Sequence, residues 1–406
     1  MLRGKLVNYL FNLIDCLKVR KLIMHKQFVF WLMPFLSINI AFASSYYATP
    51  EKLPNKNYSI QKDQEIEDMP PVLSQDSFGL CYGFSAAAVL NYWNCVAIKR
   101  TNKEYKCSEM PESQRFSPVA ISRYNGDAID EGMDDSEFEE LWQSGSPKKV
   151  FDAVAGRMGR APSEACASLD QFLSKATAGG TANGYSETQA QIWLALYESY
   201  KNVRKKAKCP TCSSDAYAAG EAEKVSGTFN VDSDKDNAKV LQSFGKDSFA
   251  KALNELMYPK KCSDSSQSVE LKLPMKVSSY PPKNLSKSDG FELMMDQVVK
   301  NLDKNIPTVV MFCSAKNPSK QCERQFKSVS GSVYPYNENH GAVITGYRKF
   351  CPTGKTKEKC YYSVKIQNSY GKQWQNENND GWVDARSVID NSFYEENKLV
   401  WLEEEK

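Results

Sequence analysis

Two kinds of hydrophobic pattern are kept apart along this chain, and that separation restricts its fold more than any other feature. From Leu80 onward Phe84, Ala88 and Tyr92 recur at every fourth position, with Ala86, Ala87, Val89 and Leu90 between them. Such a run describes a helix buried on most of its circumference. A second helix is expected from Ser186, whose spacing to Gln189 suits a capping box, with Ile192, Trp193, Leu196, Tyr200 and Val203 as its apolar stripe. After one further helix, from about Phe291 to Leu302, the pattern changes. Thr308 to Phe312, Ala342 to Tyr347 and Tyr361 to Ile366 are β-branched and aromatic runs bounded by turn residues, as strands are. A helical first half and a β-rich final quarter predict an α+β fold with two subdomains of different character. The Ser-, Asp-, Gly- and Lys-rich stretches 213–239 and 263–290 read as loops, and the polar segment 44–69 as an exposed lead-in.

With 406 residues, 41% hydrophobic and 25% charged, the chain has enough apolar material for a sizeable core, which excludes disordered and collagen-like classes. Its net charge of +3 is misplaced for nucleic-acid binding. Residues 1–43 hold six Lys/Arg and one Asp, which leaves 46 basic against 48 acidic groups in the remainder. No basic footprint for phosphates survives there. Phe28 to Ala43 is uncharged, follows Arg20, Lys21 and Lys26, and ends in Ala41-Phe42-Ala43, the small-x-small form of a signal-peptidase site. The run is shorter than the ~20 residues a spanning helix needs, so a cleaved signal peptide is expected rather than a stable membrane anchor. Met24 stands where a compact signal peptide would start, and His25 falls in the leader. His340 is then the one histidine of the mature chain.

Cysteine parity fits export. Of 12 cysteines Cys16 goes with the leader, and if one thiol is reserved for chemistry, ten remain for five disulfides in an oxidising compartment. Cys95/Cys107, Cys313/Cys322 and Cys351/Cys360 are plausible local pairs; Cys166, Cys209, Cys212 and Cys262 supply two more with connectivity open. Cys209-Pro-Thr-Cys212 has no second C-x-x-C, nearby histidine or thioredoxin-like pattern, and a structural disulfide is the better reading.

A nucleophilic cysteine needs an environment that lowers its pKa, a base, and donors for the developing oxyanion. Cys81 sits at the start of the first helix, where orphan N–H groups and the helix dipole favour a thiolate. Gln75, six residues upstream, can offer an amide N–H beside that of Cys81. His340 is the available imidazole, and Asn368, ending a later strand, can accept its other ring N–H. Taken singly, each has a structural explanation: a buried thiol, a turn amide, a satisfied histidine, a polar strand end. Their combination is what carries the functional reading.

The segment Gln75 to Ser85 resembles the nucleophile segment of papain-like cysteine peptidases: a glutamine, five residues, the cysteine, an aromatic, then Phe84-Ser85-Ala86. His340 with Ala342-Val343 and Gly346-Tyr347 is similar to that family's histidine strand. Asn368-Ser369-Tyr370-Gly371 with Trp374, followed by Gly381-Trp382-Val383, is similar to its asparagine segment. The resemblance covers about 70–130 and 300–403. It implies a helical left domain (70–130) and a β-barrel-like right domain (291–406) with the active site between them, and a mainly helical and loop insertion over 131–290. It further implies Cys81 as nucleophile, His340 as acid/base, Asn368 as its orienter and Gln75 in the oxyanion hole, with Trp374 packed near the asparagine–histidine hydrogen bond. Tyr82 and Tyr370 stand where the family has tryptophan, and Phe78 where it has a cysteine. The lead-in is too short for the family's long inhibitory propeptide, so restraint would fall to the insertion or to another protein.

The expected function is hydrolysis of protein or peptide substrates outside the cytoplasm, in the periplasm or medium. No metal or nucleotide motif is evident, so no cofactor is expected. Two alternatives stay open: a catalytically silent scaffold of the same fold whose 131–290 region binds a partner, and another Cys–His acyl-transfer enzyme of transglutaminase-like or cell-wall amidase type. Gly341, after the histidine, suggests an unobstructed cleft wall.

Overall fold

The computed structural model describes residues 48–405 apart from 53, 55, 76–77, 126–144, 179–194, 206–213, 232–235, 247, 281–289, 315–338, 355–358 and 393–397. The leader, Ser186, Gln189, Ile192, Trp193, Cys209, Cys212 and Cys322 lie outside the described residues.

Residues 44–69 are not simply an exposed lead-in. Tyr58–Glu65 forms strand β1, most exposed at its centre, and Glu51 and Ile66 on either side of it are buried. The polar sequence conceals a strand because its stability comes from ladder hydrogen bonds and ion pairs, not from an apolar face. Arg348 pairs with Glu51 at 3.1 Å and Asp63 at 3.0 Å while its guanidinium lies 3.7 Å from the Trp382 ring centroid. Lys365 binds Glu65 and Asp380, and Lys62 binds Asp303 at 2.7 Å.

Helix α1 (Cys81–Thr101) follows, with every residue from Cys81 to Ala87 buried. Its near-uniform apolar composition fits a helix enclosed on several sides. It packs on α2 (Pro118–Ser122) and α3 (Pro147–Ala153). Gly83 allows the close crossing with α2, since a Cβ there would lie 2.9 Å from the Pro118 carbonyl oxygen. Helix α2 starts where Ser117 accepts the Ala120 N–H and Pro118 fills the first turn. Buried polar groups on α1 are spent on neighbouring backbone: Asn91 accepts from Phe116 N at 2.7 Å, and Asn94 donates to Glu270 O and accepts from Lys272 N.

Strand β2 (Arg160–Pro162) precedes helices α4 (Leu169–Ala178), α5 (195–205), α6 (Ser214–Thr228), α7 (Asp236–Phe244) and α8 (Phe249–Met257). Leu196, Tyr200 and Val203 are buried on α5 as the stripe anticipates. The stretches 213–239 and 263–290 differ from the loop reading. The first carries α6 and the start of α7; the second carries β3 (Ser268–Glu270), paired with β2, and β4 (Met275–Tyr280). In α6 the alanine content outweighs the Ser and Gly that suggested a loop, and Ala222 and Val225 supply its buried side.

Helix α9 (Gly290–Leu302) leads into the main sheet, completed by β5 (Thr308–Cys313), β6 (Asn339–Pro352), β7 (Tyr361–Gln367), α10 (Gly371–Glu377), β8 (Trp382–Asp384), α11 (Ala385–Ile389) and β9 (Leu399–Glu404). The order is β4-β9-β5-β6-β7-β8, with every pairing antiparallel. Strand β6 changes partner along its length. Its first half pairs with β5 and its second half, from Gly346 to Pro352, with β1, while β7 lies along its other edge. The 131–290 range therefore contributes α3, packed on α1, and β4, at one edge of this sheet.

The fold is α+β, and one hydrophobic cluster runs from α1 into β5, β6, β7 and β9. Disulfides join Cys95–Cys107, Cys166–Cys262 and Cys351–Cys360; Cys313 is also disulfide-bonded. These bonds fit an oxidising, exported compartment. Among the described residues no helix is long and apolar enough to cross a membrane.

Candidate active site

Cys81, the first residue of α1, is the one cysteine among the described residues that is not in a disulfide, and it is 2% exposed. Its carbonyl accepts the Ser85 hydroxyl at 2.6 Å, and nearby backbone N–H groups, those of Gly341 and Tyr82 among them, pull the thiol's pKa down. The helix start does not yield a resting thiolate here. Burial pushes the thiol up to about 11, outweighing the N–H groups that pull it down.

His340 stands near the start of β6, opposite Phe312 of β5, and is 2% exposed. The residue after it, Gly341, packs against Cys81, which brings the histidine strand to the helix start. Gly341 is not an open wall: a Cβ there would lie 2.7 Å from Met311 Sδ, 3.1 Å from Ser85 Oγ and 3.3 Å from the Cys81 carbonyl oxygen. Nε2 of His340 is 2.6 Å from Asn368 Oδ1. Burial pushes the imidazole down to about 4, against the Asn368 hydrogen bond, which favours the proton. Burial thus favours the neutral form of both thiol and imidazole.

Asn368 directly follows β7 and is buried. Its Oδ1 also accepts the Ser369 N–H at 2.7 Å, and its own N–H donates to Gln375 Oε1 at 3.3 Å. Gln375 reaches it because its Nε2 donates to the carbonyls of Ile366 and Asp380 at 2.8 and 2.9 Å. Gly381, at φ 83, is required beside it, since a Cβ would come 2.2 Å from the Ile366 oxygen. Nδ2 of Asn368 has no hydrogen-bond partner among the described residues. Asn368 borders a small cavity of about 20 Å³ shared with Ser85, Asn91 and Gln367, room enough for about one ordered water.

Gln75 is buried and fixed from both sides. Its backbone N–H donates to Ser369 O at 2.8 Å, its side-chain oxygen accepts the Ser369 hydroxyl, and Nε2 donates to Phe78 O at 3.0 Å. A bridge between Ser74 and Tyr370, and a Gly371 N–H to Leu73 O bond, continue the same seam.

Tyr370 has a larger role than its sequence position suggests. Its ring stacks on His340 with centroids 4.7 Å apart at 18°, and its hydroxyl is 3.4 Å from Nδ1. Trp374, expected beside the asparagine–histidine bond, meets Tyr370 edge-on at 6.2 Å. Tyr370 therefore lies between the indole and the imidazole as a partner to both. Ser369 was also not singled out; its hydroxyl beside an asparagine was the available signal.

Among the described residues one trio has metal-ligand spacing, Asp68 with Cys95 and Cys107. Its sulfurs are joined in a disulfide, and Asp68 accepts from Lys99 and from the N–H groups of Cys107 and Ser108. No protein-family model matches the chain, and no curated protein matches it.

Proposed function

We propose that this chain is an exported papain-like cysteine peptidase with a two-subdomain fold, acting on proteins or peptides in the periplasm or outside the cell. The observation that carries the reading is the 2.6 Å contact of His340 Nε2 with Asn368 Oδ1, on a strand whose next residue, Gly341, packs against Cys81 at the start of α1. Three of the four expected residues thus belong to one connected arrangement, and the fourth, Gln75, is laced to the asparagine segment through Ser369.

The chemistry begins with the S–H bond of Cys81 breaking as its proton moves to Nδ1 of His340. The sulfur bonds to the peptide carbonyl carbon, and the carbonyl electrons shift to oxygen, where the Cys81 N–H and an N–H of Gln75 stabilise them. The oxyanion collapses, the C–N bond breaks, and His340 gives its proton to the departing amine. Water then adds to the thioester with His340 as base, releasing the acid and restoring the thiol. Asn368 keeps Nε2–H directed away from sulfur throughout.

The burial of both reacting groups favours a second reading, a scaffold of the same shape with an unused cleft. Treatment with a thiol-reactive peptidyl epoxide and a mixed fluorogenic peptide library, on the protein and on Cys81→Ala, separates the two. Labelling and cleavage lost together in the variant support the peptidase. Absence of both in folded wild-type protein leaves the scaffold.

A further inference from the structure

We infer that residues 49–75 form a permanent strap that positions Asn368: the segment holds the residues on both sides of that asparagine, stays with the protein through maturation, and disables the site when it is lost. This deepens the peptidase reading, and its bearing on catalysis rests on it.

The strap is gripped from its start. Thr49 O accepts the Asp384 N–H at 2.8 Å and Pro50 bridges Val383, so the β8 segment holds one end. Glu51, 9% exposed, takes Arg348 at 3.1 Å and the Asn379 amide at 3.3 Å. Strand β1 then runs along β6, from Tyr58 opposite Pro352 to Glu65 opposite Gly346, and the Ile66 N–H extends the ladder to Thr345 O at 2.8 Å. Asp68 crosses to the helical side, where it accepts from Lys99 of α1 at 2.6 Å and from the N–H groups of Cys107 and Ser108.

Beyond Asp68 the strap reaches the site. Pro70 O accepts Nε2 of Gln367 at 3.1 Å, and the Gln75 N–H donates to Ser369 O at 2.8 Å. Gln367 and Ser369 flank Asn368 in the chain, so the strap fixes the backbone on either side of the amide that meets His340. A removable inhibitory piece must leave a finished protein behind when it goes. This one would not. Both carboxylates that Arg348 pairs with, Glu51 and Asp63, lie in the strap, and Ile66 is buried within the main hydrophobic cluster. Losing them strands a part-buried guanidinium, opens a hole against the core and bares one edge of β6. Processing at export therefore ends before Thr49.

The test uses the exported full chain. Its intact mass and amino-terminal sequence should place the first residue at or before Thr49; a folded preparation that begins at or after Pro70 would overturn the inference. A second chain carries a short recognition sequence for a site-specific endoprotease after Glu67, an exposed residue in a bend. After cutting, the amino-terminal piece should co-elute with the remainder on native gel filtration. Displacing it with urea and exchanging the buffer should abolish the nitrogen shifts of a single His340 tautomer and the cleavage of a mixed peptide library. A synthetic peptide of residues 44–67, added back, should restore both. Gln367→Leu keeps the strap but removes its bond to Pro70; it should mix the His340 tautomers and lower kcat roughly 5-fold with KM little changed, the worth of one ordinary hydrogen bond. A piece that departs while the remainder stays folded with unchanged His340 shifts, or Gln367→Leu with wild-type shifts, would sink the inference. Cleavage that persists or rises as the piece leaves removes this inference alone. No cleavage by the uncut protein, with the piece retained and the His340 shifts dependent on it, removes the peptidase reading and keeps the strap.

Discussion

Gly341 and Cys81 are packed so closely that a Cβ on Gly341 would stand 3.3 Å from the Cys81 carbonyl oxygen and 2.7 Å from Met311 Sδ. The strand bearing the base and the helix bearing the thiol meet there without room for a methyl group. Gly341→Ala should therefore destabilise the protein by about 1–3 kcal/mol, the usual cost of overpacking, as read by denaturant unfolding. Peptide turnover should fall with it, since Met311 or the helix start has to move. Unchanged stability would mean that the thioether relocates freely.

His340 predicts an acid limb in stability. Its pKa is depressed from 6.5 to about 4 in the folded chain, so between those values the unfolded chain binds more protons. Stability contributed by the neutral ring is present above pH 6.5 and lost as pH falls toward 4, by about 3 kcal/mol. Cys81 acts at the other end. Its pKa is raised from 9.0 to about 11, so its contribution is complete below pH 9 and lost as pH rises from there. Unfolding free energies across pH 4–10 for wild type and His340→Asn should show the acid limb shallower in the variant.

Asn368→Ala removes the acceptor of the His340 Nε2–H inside a buried site. Leaving such a donor unmet costs about 1–3 kcal/mol, so turnover should drop roughly 10- to 100-fold, mainly in kcat. Nitrogen shifts of His340 should show loss of the single tautomer. A variant with full activity and one tautomer would remove Asn368 from the orienting role.

Arg115 and Glu164 form a buried ion pair with Nε to Oε2 at 2.6 Å, and the same arginine donates to the Met110 carbonyl. Desolvation dominates at the carboxyl, raising its pKa despite the arginine beside it. Arg115→Ala should thus cost about 3–5 kcal/mol by stranding a buried acid, while Arg115→Met with Glu164→Leu should recover most of the loss. Thermal and denaturant unfolding of the three proteins decide it.

Much of the frame was legible where side chains carry the energy. Thr308–Cys313 is nearly all apolar and fully buried, the first half of the Cys81–Thr101 helix is mostly apolar and buried, and Tyr361–Gln367 is a β-prone run that is half-buried to buried. The Cys95–Cys107 and Cys351–Cys360 pairs were readable because short loops leave few alternatives. Cys166–Cys262 spans 96 residues, and no spacing rule reaches that far. Strand β1 was read as part of an exposed lead-in and β4 as loop, because ladder hydrogen bonds, with ion pairs in β1, hold them and leave little trace in hydropathy. At the site, residue identities were legible but their states were not. Whether the thiol is ionised depends on burial, which no motif records. The stacking of Tyr370 on His340 required the ring's placement, since tyrosine for tryptophan at that position says only that an aromatic is kept.

The seam between Gln75 and Ser369 joins positions 294 residues apart, with backbone and side-chain hydrogen bonds together. It gives the molecule a clock. A chain under synthesis presents Cys81 early, but His340, Asn368 and the serine that holds Gln75 all emerge from the ribosome near the end. Until that last stretch is made and threaded back against residues 73–75, the arrangement around Cys81 is incomplete, and on the peptidase reading an unfinished or truncated copy would not cleave peptides.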